Sequence, residues 1–342
     1  MLDEKQYIID KYDIKDYKEP TIIIPDLSKK SGIILIVGSS GSGKSTILKS
    51  LNPNKLVIDY SKPIIDNFSS PLIAEELLLA MGLRSIPTWF RPFDKVSNGE
   101  RHRAESALAI DQNINCIDEF TSVVDRDTAK SLSVALHKYF KKHNKTIFVA
   151  TPHFDIQEWL CPDVVYNTDT QKFVQSDFLR RPDIDLHIKS SNVEDWNVFK
   201  KHHYLTSDLP KSVHCYSAFI NDKLVAFLAI MHGTSGSIKS YWRESRLVVL
   251  PEFQGLGIGK TLSDSVAEFY TSKGYRYFSK TAHSALGNYR DNSPRWKGTS
   301  KNKKKRNDYF DSNGELRHQG RFKTETLLRD YNRLTFSHEF IK

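Results

Sequence analysis

A glycine-rich segment at residues 38–45 constrains the fold of this 342-residue chain more than any other feature. It reads Gly-Ser-Ser-Gly-Ser-Gly-Lys-Ser and directly follows an apolar run at residues 33–37. The spacing G-x-x-x-x-G-K-S is that of a phosphate-binding loop, in which glycines let backbone N–H groups approach a polyphosphate closely. Such a loop lies between a strand and a helix. The sequence therefore predicts a parallel α/β domain that binds a nucleoside triphosphate.

The residue types of this loop each have a physical task. The Lys44 ammonium would reach the β- and γ-phosphates of ATP, and the Ser45 hydroxyl would coordinate Mg²⁺. Short apolar runs at 114–117 and 146–150, with a helical pattern at 128–139 between them, continue the α/β alternation. The loop residues predicted to hold ATP are Gly38, Ser39, Gly41, Gly43, Lys44, Ser45 and Thr46.

Polar residues follow the later apolar runs. Asp118 and Glu119 end the run at 114–117, where Asp118 would complete the magnesium shell and Glu119 would polarise the attacking water. His153 follows the run at 146–150, and Asp125 lies six residues after Glu119. This order predicts the catalytic side of an ATPase site.

In this order the N-terminal motifs resemble the ABC-type ATPases. Residues 96–100, Val-Ser-Asn-Gly-Glu, are similar to the signature sequence of that family, with Asn98 where a glycine is usual. Residues 122–125 resemble its D-loop, and His153 resembles its switch histidine that senses the γ-phosphate. The resemblance implies an ATP-dependent homodimer, in which the Lys44 loop of one copy and Ser97 and Gly99 of the other hold each ATP.

Two departures from that family pattern concern the helical subdomain. Only 54 residues lie between Lys44 and Gly99, and no Q-loop glutamine is evident. The missing insert is the part that transporters use to grip membrane segments, and no apolar stretch of this chain is long enough to span a membrane. The resemblance therefore implies an ATPase domain with a reduced helical subdomain and no membrane partner.

A second glycine motif, Gln-Gly-Leu-Gly-Ile-Gly at residues 254–259, follows an apolar strand pattern at 247–250 and precedes an amphipathic helical pattern at 260–273. A glycine turn at a helix N-terminus is again an anion site. The motif resembles that of the GNAT acetyltransferases, which implies that the strand pairs with the pantetheine amide of acetyl-CoA and the turn binds its pyrophosphate. The residues so implicated are Val248, Val249, Gln254, Gly255, Gly257, Gly259 and Lys260.

Acyl transfer by direct attack of a nucleophile on a thioester needs a base for the nucleophile and an acid for the leaving thiolate. Tyr289 lies where the GNAT family commonly has that acid. The candidates for the base are Glu244, His202, His203 and His283, and the sequence does not choose among them.

Two further segments indicate a subgroup of that family. Residues 202–205, His-His-Tyr-Leu, and residues 289–296, Tyr-Arg-Asp-Asn-Ser-Pro-Arg-Trp, resemble a GNAT subgroup related to the phage Mom protein, which modifies adenine bases in DNA. The arrangement as a whole resembles a prokaryotic and phage family that joins an ABC ATPase to a predicted acetyltransferase. The implied fold class is a two-domain α/β chain, with a P-loop ABC-type ATPase domain at 1–183 and a GNAT α+β acyltransferase domain at 184–342.

Charge is divided unevenly between the two predicted domains. The net charge of +9 comes from about −2 over residues 1–185 and +11 over residues 186–342. A basic domain favours a polyanionic partner, because cations neutralise phosphates, and we expect a nucleic acid to bind there. A solvated basic loop is the alternative. The densest basic segment comprises Lys297, Lys301, Lys303, Lys304, Lys305 and Arg306.

Three functions remain open on the sequence. The first is an ATP-driven acyltransferase that modifies DNA or RNA. The second is a GNAT enzyme for protein or small-molecule amines that the ATPase regulates, and the third is a nucleic-acid-binding ATPase with a non-catalytic GNAT domain. The charged N-terminus and the three scattered cysteines are typical of a cytoplasmic protein.

Overall fold

The computed structural model describes residues 4–13, 22–27, 29–175, 180–203, 208–233, 240–304 and 334–341. The chain divides into two compact units, Met1–Arg181 and Pro182–Lys342. No helix among the described residues is both long and apolar enough to cross a membrane.

A five-stranded sheet forms the centre of the N-terminal unit, with the order β2-β3-β1-β4-β5. Its strands are β1 Ile33–Val37, β2 Cys116–Ile117, β3 Ile147–Thr151, β4 Val164–Asn167 and β5 Lys172–Gln175. The first four run parallel, and β5 is antiparallel to β4. All five residues of β1 are buried, which explains its unbroken apolar sequence, because a parallel sheet is covered on both faces.

Seven α-helices are described in the N-terminal unit. They are α1 Glu4–Lys11, α2 Lys44–Leu51, α3 Pro71–Ala80, α4 Ile86–Trp89, α5 Asn98–Asp111, α6 Arg126–His143 and α7 Gln157–Leu160. Only α3, α4 and the 3₁₀ turns Ile64–Asn67 and Phe93–Lys95 lie between α2 and α5. The short spacing between Lys44 and Gly99 thus gives a small helical segment, as predicted.

A seven-stranded sheet forms the centre of the C-terminal unit, with the order β11-β12-β10-β9-β8-β7-β6. Its strands are β6 His187–Ser191, β7 His214–Ile220, β8 Lys223–Gly233, β9 Tyr241–Val249, β10 Arg276–Thr281, β11 Trp296–Gly298 and β12 Phe336–Phe340. Asn221 and Asp222 join β7 to β8 with φ values of +47° and +63°, as a two-residue hairpin turn requires. Only β9 and β10 pair in parallel among the described strands of this sheet.

Helices cover both faces of this second sheet. They are α8 Trp196–Phe199, α9 Ile258–Ser272 and α10 Ser284–Asp291. The rings of Trp196 and Phe199 lie 5.5 and 5.8 Å from that of Phe227 on one face. On the other face, the Tyr270 ring of α9 lies 4.7 Å from Trp242. The 3₁₀ turns Val193–Asp195 and Lys200–His202 flank α8.

The parallel pair β9 and β10 separates after three residue pairs. Residues 241–243 of β9 pair with residues 276–278 of β10, whereas β9 continues to Val249 and β10 pairs onward with β12. A bulge opposite Ala229 and Ile230 leaves Ser245 as an extra residue in β9. The strands thus form a split that opens toward the glycine turn at 254–259.

Candidate functional site

The carboxyl ends of three parallel strands bring the predicted ATPase residues to one edge of the first sheet. The loop at 38–45 follows β1, Asp118 and Glu119 follow β2, and His153 follows β3. A backbone hydrogen bond of 2.9 Å from Phe120 to Ala150 joins the last two segments. This is the arrangement that a nucleotide site needs, since ligands of α/β sheets bind at the carboxyl edge.

The geometry of the glycine loop fits a polyphosphate. Gly41 and Gly43 have φ values of +79° and +95°, which L side chains rarely adopt. Gly43 is the N-cap of α2 and has no side chain, so it offers no side-chain acceptor to the N–H groups of the first turn. The Lys44 ammonium crosses the loop and donates to the carbonyl oxygens of Gly38 and Ser39, at 2.9 and 2.7 Å. Lys44, Ser45 and Thr46 would hold ATP there.

One side chain that contacts this loop, Asp169, was not predicted from the sequence. The Asp169 carboxylate, in the turn after β4, accepts hydrogen bonds from the Ser39 N–H at 2.9 Å and the Ser39 hydroxyl at 2.7 Å. The hydroxyl bond lowers the pKa of Asp169. Thr168 lies where any Cβ on Gly38 would be, so glycine is required at that position. The β4–β5 turn therefore fixes the first residues of the loop.

A contact within the segment after β2 fixes the position of the Glu119 carboxylate. Its Oε2 atom accepts a 2.5 Å hydrogen bond from the Ser122 hydroxyl, and its backbone has φ +51°. The Asp118 carboxylate accepts from the Glu119 N–H at 2.9 Å. Burial lowers the pKa of nearby His102, a side chain that the sequence did not single out.

The predicted signature residues lie against the D-loop segment of the same chain. A Cβ on Gly99 would lie 3.2 Å from the Val123 carbonyl oxygen, so the two segments are in close contact. Ser97 caps α5 in a reciprocal capping box with Glu100. Asp125 caps α6 by accepting from the N–H groups of Asp127 and Thr128. Both side chains thus have structural tasks at helix N-termini.

The second glycine turn fits an anion as well. Gly255 and Gly257 have φ values of +87° and +93°, and Gly257 begins the 15-residue helix α9 without a side-chain cap. A Cβ on Gly259 would come within 3.1 Å of Val249, so glycine lets the helix approach β9. The Gln254 amide donates to the Val249 carbonyl at 2.8 Å. The coenzyme A phosphates would bind at this turn, with Lys260 in the first turn of α9.

Glu244, one of the candidate bases, is in a buried ion pair. Its side chain is 6% exposed and that of Arg290 is 0% exposed, with 2.8 Å between Oε2 and Nη2. The hydroxyls of Ser263 and Ser279 also donate to the carboxylate. The carboxylate is thus enclosed by a guanidinium and two hydroxyls, and its catalytic role stays a prediction.

Tyr289 is half-buried and its hydroxyl donates to the carboxylate of Asp264. Asp264 is 3% exposed and also accepts from Arg295 and, at 2.8 Å, from the Trp296 indole. Burial, and then the hydrogen bond to Asp264, raises the pKa of Tyr289. The phenol therefore stays protonated throughout the neutral range, as an acid must, and its catalytic role stays a prediction.

The three histidines proposed as bases lie in different settings. Burial lowers the pKa of His202, which keeps its imidazole neutral. The His203 ring lies 5.7 Å from that of Trp196. His283 caps α10, with Nδ1 accepting from the Leu286 N–H at 3.4 Å. A catalytic role for each of the three stays a prediction.

Replacing Tyr289 with phenylalanine tests whether its hydroxyl is the catalytic acid or only stabilises the packing. If Tyr289 is the acid, we expect the turnover number for acyl transfer to fall by about 100-fold or more with little change in affinity for acetyl-CoA. Tyr270→Phe, which removes a hydroxyl bonded to His214 and Tyr216, is the matched control. An unchanged turnover number with a lower unfolding midpoint would instead show that the hydroxyl only satisfies Asp264.

The basic segment is described only as far as Lys304, and Lys305 and Arg306 lie outside the described residues. Lys297, Lys301 and Lys304 are exposed. Lys303 is also exposed but forms a 3.0 Å ion pair with Asp291. Trp296 is only 4% exposed, so its ring is not available to stack on a nucleic-acid base.

The acetyltransferase (GNAT) family model matches residues 179–290, about a third of the chain. No curated protein sequence matches. Among solved structures, the chain is similar to the dimeric form of a bacterial ABC transporter cassette, with 18% identity over 40% of this chain and 82% of that one and a TM-score of 0.33.

Two solved acetyltransferases are also similar to the chain. The ribosomal-protein-S18-alanine N-acetyltransferase from Escherichia coli is 13% identical over 46% of this chain and 93% of that one, with a TM-score of 0.31. A GNAT-family acetyltransferase from Streptococcus pneumoniae is 13% identical over 46% and 100%, with a TM-score of 0.32. With the family match and the two sheets described above, the predicted α/β fold class and the expectation of an enzyme are confirmed.

Proposed function

We propose that the chain is an ATP-hydrolysing enzyme that transfers an acyl group from coenzyme A to a nucleic acid, either a DNA base or an RNA, and that ATP-driven dimerisation clamps the substrate. A family match to acetyltransferases and a fitting glycine turn at α9 support the transfer. The loop before α2, with Asp118, Glu119 and His153 at one sheet edge, supports ATP hydrolysis with Mg²⁺ at Ser45 and Asp118.

The observation that carries the nucleic-acid acceptor is a cationic surface on the acyltransferase unit, formed by β11 and the turn that follows it. Lys297, Lys301 and Lys304 are exposed there. The turn is anchored from beneath, because the Asn302 amide donates to Asp291 at 2.7 Å and its oxygen accepts from the Ser337 N–H at 2.9 Å. Three lysines on a strand and the anchored turn after it form a surface suited to a phosphate backbone.

Removing these lysines should weaken nucleic-acid binding in a salt-dependent way. For the variant Lys297→Ala/Lys301→Ala/Lys304→Ala, we expect the slope of log affinity against log salt to become shallower by about 0.9 for each phosphate that the protein no longer neutralises. Fluorescence anisotropy with DNA and RNA oligonucleotides over a salt series measures that slope. The control removes as many exposed lysines from the N-terminal unit, by alanine at Lys55, Lys145 and Lys172. Equal slopes for the two variants would contradict the assignment of this surface.

The choice of acceptor can be tested with isotopically labelled acetyl-CoA and ATP. Label in digested nucleosides supports the proposal. Label in proteins or small amines, with none in nucleosides, would replace it with the regulated amine acetyltransferase. Binding of nucleic acid without any binding of acetyl-CoA would leave an ATPase with a non-catalytic second domain.

A further inference from the structure

The split between β9 and β10 ends at a buried polar cluster. Glu244 is the first residue of β9 beyond the last parallel pair, and Ser279 is its counterpart on β10. The Ser279 hydroxyl donates to Glu244, so a side-chain contact spans the split where the backbone pairing stops. Arg290 closes the same point from α10 by donating to both side chains.

Every member of this cluster is almost fully enclosed. Arg290 and Ser263 are 0% exposed, and Ser279 is 2% exposed. The Arg290 guanidinium also lies 4.4 Å from the centre of the Trp296 ring, which fixes it from its other side. Burial, ion pairing and ring contact together leave these side chains little freedom to move aside, since interiors are close-packed.

The order of the coenzyme A contacts along β9 leads to this cluster. The phosphates would bind at residues 254–259, and the pantetheine would follow the strand from 250 back toward 247. The next described side chain on the same face of β9 is Glu244, because Ser245 is the bulged residue. The acyl end of the thioester would therefore point along the split toward the Glu244–Arg290 pair.

We propose that the buried Glu244–Arg290 pair sets the depth of the acyl site and limits the enzyme to short acyl groups such as acetyl. This inference rests on the proposed acyltransferase function and names its acyl donor class. A longer chain would have to displace a buried ion pair that also holds hydrogen bonds to Ser263 and Ser279. Such a chain does not fit without disrupting the cluster.

Binding of coenzyme A thioesters to the full-length protein tests this limit without any acceptor. By isothermal titration calorimetry, octanoyl-CoA should bind at least about 10-fold more weakly than acetyl-CoA, the usual scale of overpacking a filled site. Equal affinity for the two thioesters would overturn the inference. No binding of any thioester would instead overturn the proposed acyltransferase function, so the two failures are distinguishable.

A double variant tests the residues themselves. Glu244→Ala/Arg290→Met removes both charges and shortens the side chain at the end of the split, so the preference for acetyl-CoA over octanoyl-CoA should fall to within about threefold. Arg276→Met/Glu339→Ala removes a pair of the same composition that joins β10 to β12 at the surface, and it should keep the wild-type preference. Unchanged selectivity in a folded Glu244→Ala/Arg290→Met protein would overturn the assignment. If that variant does not fold, the affinities of the wild-type protein for acetyl-CoA and octanoyl-CoA alone decide whether the inference holds.

Discussion

Replacing Glu119 with glutamine is expected to stop ATP hydrolysis while leaving ATP bound, so that the protein accumulates as a dimer. The amide has the size of the carboxylate but cannot act as a base toward water, and we expect the hydrolysis rate to fall by about 100-fold or more. Lys44, Ser45 and Asp118 are unchanged, so the contacts that would hold the nucleotide remain. Phosphate release gives the rate, and light scattering with and without ATP gives the mass.

A matched control for this variant is Glu75→Gln, at an exposed position on α3 away from the sheet edge. It should hydrolyse ATP as the wild type does. A Glu119→Gln protein that remains monomeric with saturating ATP would contradict the sandwich dimer. A Glu119→Gln protein that hydrolyses ATP at the wild-type rate would show that Glu119 has no catalytic role.

Replacing Arg290 with alanine is expected to cost the C-terminal unit about 3–5 kcal/mol of unfolding free energy, because it leaves Glu244 charged and buried with no partner. The exposures of 0% and 6% leave almost no solvent to screen the pair. Adding Glu244→Ala to Arg290→Met should be less damaging than Arg290→Ala alone, since the orphaned charge is then gone. Denaturant unfolding of the full chain, with hydrogen exchange to assign the transition, measures the difference.

Arg276→Ala is the comparison for that prediction. Arg276 pairs with Glu339 at 2.5 Å, but its side chain is 49% exposed, so its removal should cost less than about 1 kcal/mol. If Arg290→Ala costs no more than Arg276→Ala, the buried pair does not stabilise the fold as the geometry indicates.

The motif-bearing parts of the fold could be predicted from the sequence. The apolar run at 33–37 and the glycine spacing together identified β1 and the start of α2, because both signals are local. The turn at Asn221 and Asp222 was predictable for the same reason. By contrast, the predicted strand at 247–250 began too late, since β9 starts at Tyr241 and its first residues are polar or aromatic with a bulge at Ser245.

The contacts that the sequence did not reveal join residues far apart in the chain. Asp169 contacts Ser39 across 130 positions, and Arg290 contacts Glu244 across 46. Residues 289, 290 and 291 each bind a different element, through Asp264 of α9, Glu244 of β9 and His338 of β12. The segment 289–296 was singled out for its resemblance, but only the packing shows that it joins these elements.

Mass spectrometry of nucleosides is the most direct test of ATP-driven acyl transfer to a nucleic acid. DNA and RNA are incubated with the full-length protein, acetyl-CoA and ATP, then digested and analysed, with parallel samples lacking ATP or containing Glu119→Gln. The proposal predicts an acetylated nucleoside with wild type and ATP, and little or none in the other two samples. Binding of acetyl-CoA with no acylated nucleoside in any sample would contradict it.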